Sequence, residues 1–176
     1  MTEKTLLLFS ESPLKYNAVA DANIFKRMVA IKEGDTECPQ PMGLESAFEC
    51  ANRRISRSET SLTDGQLGLV VENFLDYSVG DGVFDKALVL LVGENILLHA
   101  VSSDRHAVRV EGQFVKLLPK CDIERPMGAR QTLGAAIRLA HAFGNKPAPP
   151  SNDWYKYVNA NNPSRHEQIQ ATCTSL

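Results

Sequence analysis

Apolar positions recur with helical spacing in the first and last thirds of the chain and gather into strand-length runs in the middle. The N-terminal third opens on Thr5–Ser10 (TLLLFS), an apolar run the length of one buried strand. Ser12-Pro13 follows, a helix cap ahead of a residue suited to the first helical position. Leu14, Ala18, Ala22, Phe25 and Val29 then recur every three or four residues, which predicts one face of an amphipathic helix. Lys32–Met42 reads as a loop broken by Gly34, Pro39 and Pro41. A second helix is expected over about Leu44–Arg57, with Leu44, Ala47, Phe48, Ala51 and Ile55 inward and Glu45, Glu49 and Arg53 on a polar stripe.

The middle third reads as β structure. After a turn-rich break at Glu59–Gly65, strands are expected at Gln66–Phe74, Phe84–Val92 and Asn95–Ser103, with Gly93-Glu94 as a hairpin turn. Ala107–Val110 suggests a fourth strand, Asp76–Asp85 a glycine-bearing loop and Gln113–Leu118 a short helix. In the last third, Leu133, Ile137 and Ala140 mark a core stripe in a helix over Arg130–Phe143. The proline-rich segment 144–153 cannot be helical, and Ser164 or Asn162 caps a final helix running to about Cys173. The expected fold is a single α/β domain over 1–176, with helices flanking a largely antiparallel or mixed sheet.

Composition narrows the function classes. The 176 residues and 19.4 kDa suit one domain, and 43% hydrophobic residues can build a core. Nineteen basic against 21 acidic side chains give a net charge of −2, which weighs against nucleic acid as a partner. The longest apolar run, Ala87–Val92, is cut by Gly93-Glu94-Asn95, and Leu6–Phe9 is flanked by acids; neither a membrane span nor a signal peptide is expected. Cys38, Cys50, Cys121 and Cys173 are scattered, as for reduced thiols in an intracellular protein.

Several residues stand out chemically. Ser12 and Lys15 open the first helix, where free backbone N–H groups and an ammonium suit a phosphate; a solvated lysine is the plainer alternative. Glu45, Glu49 and Arg53 share a helical face, which fits either Mg²⁺ and phosphate ligation or ordinary i,i+4 pairing. Glu72 follows Leu69-Val70-Val71. It is either a metal ligand or general base at a buried strand, or a water-facing residue on an alternating one. No histidine has a Ser or Cys partner at catalytic spacing. Trp154, Tyr155 and Tyr157 suit base stacking or the pinning of the C-terminal segment.

Taken in order, Ser12-Pro13-Leu14-Lys15, Gln40–Glu45 (QPMGLE), Ala51-Asn52-Arg53, Val71-Glu72 and Ser164-Arg165 resemble the motif series of the inosine/xanthosine triphosphatase family. Val71–Phe74 (VENF), Phe84-Asp85, Asp153-Trp154 and Ser164-Arg165 with Ile169 are also similar to the C-terminal domain of the eukaryotic proline-rich coiled-coil protein. The resemblance implies an elongated fold with a mixed central sheet and a central cleft, often a homodimer. It implies a cytoplasmic setting, with protein partners on early secretory membranes and no insertion into them. In the triphosphatase branch the cleft hydrolyses a purine nucleotide with Mg²⁺. By that likeness Ser12, Lys15, Arg53 and Arg165 would bind phosphate or base, Glu45 and Glu72 the metal, and Glu72 would be catalytic. Val71 and Phe74 replace family glycines that let the backbone approach phosphate, which implies catalysis weakened or lost. A Phe74 ring between Lys15 and Glu72 would leave a triphosphate no room.

Overall fold

The computed structural model describes residues 4–37, 39–77, 80, 82–116, 118, 128–129, 131–144 and 154–176. Its elements are β1 (Thr5–Phe9), α1 (Pro13–Asp21), β2 (Met28–Ile31), β3 (Gln40–Pro41), α2 (Leu44–Ser56), β4 (Gln66–Asp76) and β5 (Val83–Gly93). They continue with β6 (Ile96–Val101), β7 (Val108–Val110), α3 (Gly112–Val115), β8 (Gly128–Ala129), α4 (Leu133–Phe143), α5 (Tyr155–Val158) and α6 (Arg165–Thr174).

The main sheet runs β2-β1-β4-β5-β6, with β7 also pairing on β5. β1 lies parallel to β2 and β4; the β4–β5, β5–β6 and β5–β7 pairs are antiparallel. The sheet is therefore mixed, as the α/β reading anticipated, and it is open. β4 is buried almost throughout because both its faces are covered, and its apolar residues point to both. Leu6, Leu8, Leu69 and Val71 pack under α1 and α6, through Ala18, Val19, Ile169 and Cys173. Leu7, Phe9, Val70 and Phe74 pack under α2, through Ala47 and Ala51. A third cluster joins Leu75, Val108 and Val110 to Leu133, Ile137, Trp154 and Tyr155, so these aromatics pin the C-terminal segment.

The first helix is shorter than its sequence pattern. Ala22 caps α1, and Asn23 takes a left-handed conformation at φ 54°. Phe25 and Val29 therefore lie off the helix, and Met28–Ile31 forms β2 beside β1. A β-favouring Met-Val-Ala-Ile run hydrogen-bonds to a buried strand there, which outweighs the helical spacing. The loop expected at Asp76–Asp85 is also tighter, since β4 reaches Asp76 and β5 starts at Val83. Lys86 Nζ and Asp76 Oδ2 form a 3.0 Å ion pair across those strand ends. The proline-rich segment beyond Gly144, and Cys38, Cys121 and Asp153, lie outside the described residues. Among the described residues no helix is long and apolar enough to cross a membrane.

Candidate functional site

The topology makes the site. β1 and β4 pair from Thr5 opposite Gln66 to Leu8 opposite Leu69, and then β1 turns away into α1. β4 continues, and the chain around β3 meets it again at Asn73, whose carbonyl accepts from Gln40 Nε2 at 3.4 Å, and at Leu75, whose carbonyl accepts from the Gly43 N–H at 2.8 Å. Crevices beyond the carboxyl ends of strands are common ligand sites in open α/β sheets. Because β4 is uncovered along this edge, successive residues from opposite faces, Glu72 and Asn73, reach one cavity of about 350 Å³.

Among its described lining residues, Lys15, Arg54, Arg138 and Arg165 are basic, and Glu33, Asp35, Glu72 and Asp85 are acidic. Four formal positive charges thus face four negative ones. Ser12 caps α1, its Oγ accepting from the Lys15 N–H at 3.5 Å. Lys15 is 8% exposed, and no described residue hydrogen-bonds its ammonium. Burial lowers its pKa from the ordinary value, and the charge of Glu72 opposes that most strongly.

Glu72 is 2% exposed, so the water-facing alternative does not hold. Its carboxylate takes a hydrogen bond from Arg54 Nε, and Arg54 Nη2 donates to its second oxygen at 3.4 Å. Arg54 Nη1 also pairs with Glu33 Oε1 at 2.8 Å. Burial alone would weaken the Arg54 charge; the charge of Glu72 and the hydrogen bond to it, then Glu33, outweigh burial and raise its pKa. Gly34 brings Glu33 into place. Its N–H donates to the Arg54 carbonyl at 2.9 Å, and a Cβ there would stand 2.7 Å from the Arg57 carbonyl carbon.

On the other face Asn73 joins a buried network. Its Oδ1 accepts from Arg165 Nε at 3.0 Å and Nη2 at 2.8 Å. Its Nδ2 donates to Gln168 Oε1 at 2.8 Å and Asp85 Oδ1 at 3.2 Å. Tyr155 Oη donates to the same Asp85 oxygen at 2.6 Å. Asn73 therefore orients Arg165 over the cleft from a neutral oxygen.

Of the residues singled out from sequence, Ser12, Lys15, Glu72 and Arg165 come together. Arg53 and Glu45 do not line this cavity. Arg53 pairs with Glu49 at 2.7 Å and donates to the Thr36 carbonyl at 3.1 Å, while Glu45 is exposed in the first turn of α2. The i,i+4 alternative describes that stripe. Arg54, one residue on, takes the cleft position. Its spacing from buried Ala47, Cys50 and Ala51 carried the signal, since positions three, four and seven apart share a helical face. Asn73 and Asp85 were visible only as motif letters. Phe74 and Val71 are core residues, so neither ring nor branch fills the cavity.

A Mg²⁺ ion takes oxygen ligands. Glu45 and Glu72 do not share a site here, and both Glu72 oxygens face Arg54. Among the described residues no three His, Cys, Asp or Glu side chains cluster to hold a metal. The expected pair therefore does not fit the ion in this arrangement.

No family model matches the chain, and no curated protein matches it. Among solved structures the fold is similar to that of protein VC0702 from Vibrio cholerae, with a TM-score of 0.66 over 98% of this chain and 92% of that one. At 12% identity the likeness establishes the fold alone.

Proposed function

We propose that the chain is a nucleotide-phosphohydrolase-like domain that binds an anionic ligand, a purine nucleotide by expectation, with catalysis weakened or lost. The observation that carries this reading is the buried pairing of Glu72 with Arg54. A general base or metal ligand works through a carboxylate held toward water or an ion, and both Glu72 oxygens instead face a guanidinium that engages one lone pair on each. Lys15, Arg165 and the α1 N-terminus supply the attraction for phosphate. In this reading the domain is an adaptor of the proline-rich coiled-coil branch. It is a cytoplasmic homodimer that reaches early secretory membranes through protein partners.

One observation favours a second reading, an active Mg²⁺-dependent inosine/xanthosine triphosphatase. With Phe74 in the core, a triphosphate is not sterically barred by that ring. That activity requires a Glu72 lone pair not engaged by Arg54 to reach the ion or the water. The test is purified protein with Mg²⁺ and a panel of purine triphosphates, followed by phosphate and pyrophosphate release. The binding reading expects no turnover together with nucleotide-dependent thermal stabilisation. Turnover that disappears in Glu72→Gln would overturn it in favour of the enzyme. Neither turnover nor stabilisation would exclude both.

A further inference from the structure

The geometry points to Glu72 as a built-in competitor for the anionic ligand, so that a polyphosphate enters by displacing its carboxylate from Arg54. This deepens, and rests on, the reading of the cleft as an anion site. Three observations carry it. The described lining residues carry four acidic groups among four basic ones, so an anion there meets carboxylates as well as cations. Arg54 lies on the cavity wall, yet three of its five N–H groups are taken, the Nε/Nη2 fork by the two Glu72 oxygens and one Nη1 hydrogen by Glu33. Lys15, by contrast, is buried and aimed into the same space with no described hydrogen-bond partner for its ammonium.

A carboxylate and a phosphate oxygen pair have the same two-point match to a guanidinium. Glu72 therefore imitates on Arg54 what a ligand phosphate would do. A monoanion exchanges one such contact for an equal one and gains little. A polyphosphate also reaches Lys15 and the N–H groups behind Ser12, and these extra contacts offset the release of Glu72. The class of ligand is thus a chain of two or more phosphoryl groups. Arg54 is the cation that separates it from single phosphates.

The experiment is calorimetric titration of inorganic tripolyphosphate, with chelator present and ionic strength fixed, into wild type, Glu72→Gln and Glu72→Gln/Lys15→Met. Glu72→Gln removes the competing charge but keeps an acceptor for Arg54. It is expected to bind about tenfold or more tightly than wild type, the effect of one unit charge at a few ångströms in a partly solvated site. Adding Lys15→Met should abolish that gain. Wild-type binding that Glu72→Gln leaves equal or weakens overturns the competitor role while leaving the binding domain intact. No binding by any folded form overturns both. If Glu72→Gln does not fold, the Arg54 Nε–H resonance of wild type decides. It must move on adding tripolyphosphate, and an unmoved resonance under saturation overturns the inference.

Discussion

Asp85 is 3% exposed, and its Oδ1 takes hydrogen bonds from Tyr155 and Asn73. Burial pushes its pKa up from 3.8 to about 6, against the charge of Arg165 and those two donors. A carboxyl with a raised folded value keeps its proton where the unfolded chain has already lost it. Its contribution to stability is therefore greatest below about pH 4 and declines as pH rises to about 6. At 1.36 kcal/mol per pH unit, the span amounts to about 3 kcal/mol. Asp85→Asn keeps an acceptor and cannot ionise. Urea unfolding between pH 4 and 8 should show wild type losing stability relative to Asp85→Asn across that window, and parallel curves would contradict the assignment. The sequence gives no hint of this environment, because the donors arrive from β4 and α5, 12 and 70 residues away.

At the scale of elements, α6 is a helix held by its ends and a few contacts. It has little apolar content beyond Ile169 and Cys173, which face α1 and the sheet. Ser164 Oγ accepts from the Glu167 N–H at 3.0 Å, and the Glu167 side chain answers the Ser164 N–H, a reciprocal capping box. These bonds to Ser164 hold the Glu167 carboxyl below the usual range. Arg165 directly follows the cap and Gln168 lies one turn further, so the box also sets the cleft cation and the network beneath it. Ser164→Ala should cost about 1 kcal/mol in denaturant unfolding and lower Tm by about 2–4 °C. An unchanged midpoint would mean that tertiary packing alone fixes this end.

Elements with a strong local signal were legible. Ser164 is a good capping residue before a helical stretch, and the β5–β6 hairpin turns at Glu94-Asn95, one residue beyond its predicted turn. β2, β3 and α5 were not, since each is two to four residues long and exists because of what it meets. β2 needs β1, β3 needs β8, and α5 needs the Asp85 network under Tyr155. The same limit separated Arg53 from Arg54. A motif letter selected the first, whereas the turn of α2 against β4 selects the second.

For the molecule as a whole, the cleft depends on one difference of length: β4 outruns β1. The apolar run of β4 was readable, but its overhang was not, because it depends on where β1 bends into α1. The overhang lets Glu72 and Asn73 face one cavity whose walls come from α1, α2, β4, β5, α4 and α6. A ligand seated there ties α1 and α6 on one face of the sheet to α2 on the other, so binding should register as global stability. At one hundred times its Kd, a ligand of the folded state adds about 2.7 kcal/mol. For a chain of 176 residues that raises Tm by about 5–11 °C. Trp154, the single tryptophan, lines the cavity and reports occupancy independently by fluorescence. The expected outcome is a Tm rise that tracks Trp154 occupancy for tripolyphosphate and is absent for Lys15→Met. Saturated fluorescence with an unmoved Tm would mean that the ligand binds the unfolded chain as well as the cleft, and would overturn the expected coupling of occupancy to global stability.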